Sequence, residues 1–352
     1  MSVVTVHASR TYEVRIERGI LDRAGELLRP LTEAGTAVIV SGERVMPLYG
    51  DRLERSLRRA GFSVIRWIHP SGEEHKNLNT YGALLEFLAD SRVTRSDLLL
   101  ALGGGVTGDL TGFAAATFLR GMDYVQIPTS LLAMVDSSVG GKTAVDLRAG
   151  KNLAGCFYQP LSVLCDPNTL DTLPEEQLRC GWAEVIKYAV LGDASFFEEL
   201  SRGPAGQDME RVIRRCVSMK TELVTEDEFD RGRRQLLNLG HSFGHAVEAC
   251  SGFEILHGQA VAIGMAMIAR AACARGVCEE ETVDRLVTLL ENYGLPTETE
   301  IPAERLLSAL LSDKKRRGDC MNLVLPEVIG NCSARKVPMD ELTDWLRLGG
   351  AK

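Results

Sequence analysis

Asp97-Leu-Leu-Leu-Ala-Leu-Gly-Gly-Gly-Val-Thr-Gly-Asp109 is the stretch that decides the fold. Its first half is a short, unbroken apolar run, the length of a strand buried on both faces. Its second half places glycines at 103, 105 and 108 in the G-x-G-x-x-G spacing, and the helical run 110–118 follows. Strand, glycine turn and helix in that order let backbone approach a pyrophosphate and aim the first N–H groups of the helix at it. Tight turns use glycine too, so the motif alone does not fix the ligand. The fingerprint normally occupies the first βα turn, with an acid about 20 residues on for the ribose. Here at least two strands precede it and Asp123 follows Gly108 by 15 residues. Glu43, after an earlier strand, and the segment Ser71-Gly-Glu-Glu-His-Lys76 are better placed for the rest of a dinucleotide.

Outward from this stretch, apolar runs alternate with amphipathic ones. Thr36-Ala-Val-Ile-Val40, residues 62–68 and Tyr124-Val-Gln-Ile127 read as further strands. Residues 43–60 and 77–91 carry leucines and valines at helical spacing. Alternation of this kind predicts a mainly parallel sheet covered on both faces. From about residue 173 the pattern is helical to about 312. A small hairpin over 321–325 and 332–337 and a final helix over 339–348 complete it. The expected organisation is an α/β Rossmann-like domain over 1–172 and a helical domain over 173–352. No internal repeat or low-complexity tract is evident.

The chain of 352 residues suits two domains of about 150 each. Apolar residues make up 45% and charged residues 25%, the balance of a globular protein. Lys and Arg number 40 against 48 Asp and Glu, a net charge of −8, which argues against a nucleic-acid binder. No secretory signal and no membrane span are expected, and nine cysteines without a Cys-x-x-Cys motif suit reduced thiols in the cytoplasm.

Three of six histidines lie within 17 residues, at His241, His245 and His257. Read as one helix, 234–248 puts Arg234, Asn238, His241, His245 and Glu248 on one face. Histidines at i and i+4 can share a metal, but the Glu of a zincin His-Glu-x-x-His is missing. Glu184, with Lys187 one turn on in an apolar helix, can join two of the three histidines as a third ligand; a hydrogen-bonded polar cluster is the alternative. Arg120, Lys142, Lys151, Lys187, Lys220, Arg234 and the pair Lys314-Lys315 are the cations that could converge on an acidic small molecule. Gly140-Gly141-Lys142-Thr143 looks like the end of a P-loop, but Asp136 occupies the place of its first glycine.

Several long motifs, in order, resemble the 3-dehydroquinate synthase family of the sugar phosphate cyclases. They are the segment 128–143 around Asp136-Ser-Ser-Val-Gly-Gly-Lys142, Gly150-Lys-Asn152, Ala183-Glu-Val-Ile-Lys187-Tyr, Leu237-Asn-Leu-Gly-His241-Ser-Phe-Gly-His245-Ala and Leu256-His257-Gly. The resemblance covers about 10–340. It implies NAD, one divalent metal (zinc, with cobalt as alternative), a homodimer in the cytoplasm and the shikimate-pathway reaction on a sugar phosphate. Matched motif by motif, the metal ligands are Glu184, His241 and His257, and His245 is a catalytic residue beside the metal. The NAD contacts implied are Ser71, Gly72, Glu73, Glu74, His75 and Lys76; Gly104, Gly105, Val106, Thr107, Gly108 and Asp109; Thr129 and Ser130; Lys142 and Lys151; and Thr169, Leu170, Asp171 and Thr172. The substrate contacts implied are Arg120, Asp136, Lys142, Asn152, Lys187, Lys220, Arg234, Asn238 and one of Lys314 or Lys315.

Two positions depart from the family pattern. Gln259 stands where Glu is usual and Asp230 where Glu is common. Cys180 and Trp182 read as packing residues. The competing functions are another sugar phosphate cyclase, making an inosose or a valiolone, and a metal-dependent polyol dehydrogenase. A non-enzymatic scaffold would be expected to lack one of the metal ligands.

Overall fold

The computed structural model describes residues 1–252, 254–311 and 319–352. Lys314 and Lys315 lie outside the described residues. The chain forms two compact units, Met1–Pro174 with Met209–Phe229, and Glu175–Asp208 with Asp230–Lys352.

The first unit is built on strands β1 (Ser2–Val6), β2 (Tyr12–Ile16), β3 (Thr36–Gly42), β4 (Ser63–His69), β5 (Leu98–Gly103) and β6 (Asp123–Pro128). Strands β7 (Lys142–Leu147) and β8 (Gly150–Phe157) pair apart as an antiparallel hairpin, and β9 (Ser162–Cys165) rejoins the main sheet. That sheet has seven strands in the order β1-β2-β9-β6-β5-β3-β4. Only its β1–β2 edge is antiparallel. In β5, Leu98, Leu100 and Leu102 join the core on one face and Leu99 the core on the other. This is why the strand reads as an unbroken apolar run. The segments Ile20–Arg23, Ala24–Leu28 and Asp51–Arg59 cover the first face, and helices Leu78–Asp90 and Gly105–Thr117 cover the second.

The helix expected over 43–60 is regular only over Asp51–Arg59. Pro47 has no N–H to give, and the chain makes a widened turn over Met46–Gly50 first. Strands β1, β2, β7, β8 and β9 carried too little apolar alternation to be read. Helix Met209–Glu226 clusters with the first unit, although its sequence sits inside the helical half. Its buried Val212, Ile213, Cys216, Val217 and Val224 form one stripe, and the helix lies against β1 and β2. Periodicity announces such a stripe without saying which surface it covers.

In the second unit, helix His257–Ala274 is buried on almost every side. Around it pack Glu175–Gly192, His241–Cys250, Glu280–Asn292 and Leu342–Leu348. Strands β10 (Cys320–Val328) and β11 (Asn331–Pro338) form the expected hairpin. The single helix expected over 234–248 is broken. A 3-10 segment, Arg233–Asn238, ends before Gly240, and the helix proper is His241–Cys250. Arg234 and Asn238 therefore do not share a helical face with the histidines. Gly240 has φ 74, and a side chain there would meet the Val261 carbonyl at 2.7 Å. Backbone conformation and close helix packing both require glycine at this break. No helix among the described residues is long and apolar enough to cross a membrane.

Leu100→Ala should destabilise the first unit by about 3 kcal/mol, because it leaves a cavity between the sheet and the helical segments packed on its first face. Ile68→Ala, at a side chain 52% exposed, should stay within about 0.5 kcal/mol. Urea unfolding of both variants checks this, and equal midpoints would contradict the two-faced core.

Candidate active site

In the first unit the chain steps from β3 to β4 on one side, then crosses to β5 on the other. A parallel sheet opens a crevice at the carboxyl ends of strands at such a reversal. This also explains why the glycine turn follows a late strand: β5 is the strand on the far side of the reversal. The expected cofactor segments 71–76, 104–109, 129–130 and 169–172 follow β4, β5, β6 and β9 respectively. Lys142 and Lys151 lie on the β7–β8 hairpin. Asp123 is at the opposite, amino end of β6, where it pairs with Arg10 at 2.7 Å.

Gly104 caps helix Gly105–Thr117 without a side chain. The N–H groups of Gly105, Val106 and Thr107 thus have no acceptor within the helix and none from a cap, the arrangement that suits an anion. The Cβ of an alanine at 105 would stand 3.2 Å from Ser137 Oγ, and one at 108 would stand 2.6 Å from Gln126 Oε1. Glu43 accepts the Ser71 N–H at 3.3 Å, and the Tyr49 hydroxyl reaches Thr169 O at 3.2 Å and Thr172 Oγ1 at 2.5 Å.

Lys76 ties three of these segments together. Its ammonium donates to Asn152 Oδ1 at 2.6 Å and pairs with Asp109 Oδ2 at 2.6 Å, while its carbonyl accepts the Asp146 N–H at 2.7 Å. Asp146 Oδ1 in turn accepts the Asn152 N–H at 2.7 Å, holding Asn152 at φ 53. Burial opposes the charge of Lys76, but Asp109 and then Glu73 keep its pKa above the ordinary lysine value. Lys220 forms an ion pair with Asp136 and donates to its carbonyl at 2.7 Å. Leu119 and Arg120 have φ of 51 and 68, a strained pair that ends on Gly121. Lys142 opens strand β7 instead of a helix, so the P-loop likeness has no structural counterpart.

The second unit brings together Glu184, His241 and His257, a group that could hold a metal ion. Glu184 is 1% exposed. Its Oε2 forms an ion pair with the buried Lys187, and its Oε1 faces His241 Nε2 at 3.5 Å and His257 Nε2 at 3.6 Å. Ligands at about 2.05 Å from a tetrahedral ion lie about 3.3 Å apart; both Glu184 separations are near that value and all three ligand atoms lie within 4.8 Å of one another, a group that could hold one divalent metal. The far nitrogens point the same way. His241 Nδ1 donates to the Leu239 carbonyl at 3.0 Å and His257 Nδ1 to Glu248 Oε2 at 3.4 Å, which leaves both Nε2 atoms for an ion. The His245 ring stands 5.5 Å from that of His241 and 5.8 Å from that of His257. Arg234 is buried on the preceding 3-10 turn, and Asn238 Nδ2 donates to the Gln235 carbonyl at 3.0 Å.

Burial opposes the charge on Glu184, yet Lys187, then His241, hold its carboxyl well below the usual range. Burial also pushes His241 below the ordinary histidine value. His257 moves the other way: burial is outweighed by its hydrogen bonds to Glu184 and Glu248, which push it up to about 9.

Sequence reasoning assigned no role to Glu248 or His69. Glu248 had one usable signal, its i+3 spacing from His245. Buried His69 had none, being a single residue at a strand end. Gln259 accepts the Leu256 N–H at 3.1 Å and so caps the helix that starts at His257, a task its amide oxygen performs as a carboxylate would. Asp230 stands at φ 58. The Trp182 ring packs 4.9 Å from that of Tyr293, and the backbone of Cys180 leaves no room for a side chain at Gly258.

Solved sugar phosphate cyclases share this fold. A 2-deoxy-scyllo-inosose synthase solved with carbaglucose-6-phosphate, NAD+ and Co2+ superposes with TM-score 0.88 at 25% identity, covering 98% of this chain and 99% of that one. The 2-epi-5-epi-valiolone synthase ValA of Streptomyces hygroscopicus, solved with NAD+ and Zn2+, gives 0.88 at 29%, covering 98% of each. A glycerol dehydrogenase from Schizosaccharomyces pombe, at TM-score 0.68 and 15% identity over 99% of this chain and 91% of that one, shares the fold alone. Residues 66–180 match the 3-dehydroquinate synthase N-terminal family and 181–316 the 3-dehydroquinate synthase C-terminal family. The 3-dehydroquinate synthase of Pelobacter propionicus is 43% identical over 97% of this chain and 98% of that protein. The Enterococcus faecalis enzyme is 41% identical over 99% of both. The chain belongs to the 3-dehydroquinate synthase family.

An ion on His257 Nε2 must displace a proton, so apparent metal affinity should rise about tenfold per pH unit and level off above about 9. Titrating metal-free protein with Zn2+ in weak buffer at pH 7 should release close to one proton per ion. Release of none would mean that His257 is not a ligand. Glu248→Ala should weaken metal binding by about 10- to 100-fold, measured by competition with a chelator.

Proposed function

We propose that the protein converts 3-deoxy-D-arabino-heptulosonate 7-phosphate to 3-dehydroquinate and inorganic phosphate, in the shikimate pathway toward chorismate and the aromatic amino acids. The observation that carries this is the Glu184 carboxylate, with one oxygen on Lys187 and the other on two histidine Nε2 atoms. Glu184, His241 and His257 hold zinc or cobalt. The carboxyl-end segments of β4, β5, β6 and β9, with Lys142 and Lys151, hold NAD. When bound, NAD supplies a hydride acceptor that returns its hydride within the turnover, and the metal supplies Lewis acidity toward the substrate's oxidised carbon.

The net reaction is redox neutral. A ring hydroxyl becomes a ketone, the neighbouring C–H loses a proton, phosphate leaves, the ketone is reduced, and the opened ring recloses by an aldol bond. The chain's own groups act around these changes. Lys187, ion-paired with Glu184, donates hydrogen bonds to the oxygen on the oxidised carbon. His245 takes and returns the hydroxyl proton on its imidazole. Arg120, Lys142, Asn152, Lys220, Arg234 and Asn238 bind the substrate's carboxylate, phosphate and hydroxyls, with Asp136 orienting Lys220. The substrate phosphate takes the neighbouring C–H proton as it leaves.

The enzyme works as a homodimer in the cytoplasm and needs neither nucleic acid nor a membrane. Metal-loaded protein should release phosphate from the heptulosonate phosphate with catalytic NAD, and a coupled dehydroquinase should consume the product. Net NADH without phosphate would make it a polyol dehydrogenase; turnover of another sugar phosphate instead would make it a different cyclase. His245→Ala should keep its metal and lose about 100-fold in kcat.

A further inference from the structure

His69 is the last residue of β4, 2% exposed, and the reaction as described does not use it. Its Nδ1 lies 2.8 Å from the Pro70 carbonyl, which can only accept, so Nδ1 carries the ring hydrogen. Nε2 is therefore an acceptor, and the group 3.0 Å away is the Thr107 hydroxyl, which must donate. Burial lowers the imidazole pKa and keeps it in this neutral form. The His69 carbonyl also accepts the Glu43 N–H at 3.0 Å, and Glu43 Oε1 accepts the Ser71 N–H. One residue thus joins the ends of β3, β4 and β5 at the reversal of the sheet.

Thr107 supplies the third free N–H at the start of helix Gly105–Thr117. Its side chain lies where a Cβ on Gly103 would be, so the strand end and the helix start touch directly. The hydrogen bond to His69 favours the Thr107 rotamer that packs against Gly103.

We propose that His69 is a positioning residue that presets the 104–109 turn for the NAD pyrophosphate through the Thr107 hydroxyl. The proposal rests on the reading of that turn as the NAD site. Preset donors lower the cost of ordering the turn when the dinucleotide binds. The hydrogen bond should therefore show in NAD affinity and not in the chemical step.

The test measures NAD dissociation constants by calorimetry on metal-free protein. His69→Leu and Thr107→Val should each weaken binding by roughly tenfold, and the double variant no further. His69→Gln, whose amide oxygen can accept from the hydroxyl, and Thr107→Ser should bind within about threefold of the parent. In His69→Leu, kcat at saturating NAD should stay within about twofold while the KM for NAD rises. A packing role alone would lower the unfolding temperature without NAD and leave the dissociation constant unchanged, which overturns the proposal; so does additivity in the double variant. If the unsubstituted protein binds no NAD, the cofactor reading itself fails and the proposal goes with it. If His69→Leu does not fold, Thr107→Val against Thr107→Ser makes the same comparison.

Discussion

A carboxylate with nowhere to go but toward its partners organises the second unit. Glu184 sits on an apolar helix at 1% exposure, where an unpaired charge would be intolerable. Its two oxygens divide the work, one held by Lys187 from the same helix and one left for His241 and His257. For those imidazoles to arrive, the helices must approach closely, and small residues make that possible. A Cβ at Gly264 would overlap the Gly240 carbonyl, and one at Gly258 would overlap the Cys180 backbone. The glycines around the histidines thus set how closely the imidazoles approach Glu184.

In the first unit the governing constraint is topological. Crossing from β4 to β5 over β3 leaves three strand ends splayed, and the chain fills the gap with polar loops. Apolar burial, as at Met46 and Leu170, anchors only parts of these loops. Lys76 reaching Asp109 and Asn152, Glu43 reaching Ser71, and Tyr49 reaching Thr169 and Thr172 also hold them. These bonds run between different strand-end segments, or from one of them to the β7–β8 hairpin, so the crevice is braced across its width.

Sequence patterns revealed what is repetitive and concealed what is singular. β3, β4, β5 and β6 were legible because burial on both faces makes an unbroken apolar run. β1 and β2 were not: each is only five residues long and neither is an unbroken apolar run. The motifs around Glu184, His241 and His257 pointed to one site because each carries several unusual residues at once. The face over 234–248 failed at Gly240, where a left-handed residue ends one segment and starts another. Helical periodicity cannot register such a break, since glycine is merely a poor helix former in that arithmetic. Helix Met209–Glu226 shows the complementary blindness: its stripe was visible, its partner strands were not. His69 left no trace, because a hydrogen bond between two singly occurring side chains has no period.

Three lysines defy the expectation that this residue stays at the surface. Lys76, Lys187 and Lys220 are 4%, 1% and 5% exposed, each against a carboxylate: Asp109, Glu184 and Asp136. Such pairs are poor investments in stability, since desolvation cancels much of their attraction, while breaking one leaves an unpaired buried charge at a cost of about 3–5 kcal/mol. A chain that only needed to fold could fill these places with apolar side chains. Held as they are, the three cations are fixed in direction by their carboxylate partners, in a protein whose net charge is −8. The same pairing makes simple truncation a blunt instrument here: losing the lysine alone exposes the carboxylate to an uncompensated interior. Replacing both members of a pair together is what isolates the contribution of each ion pair to the fold.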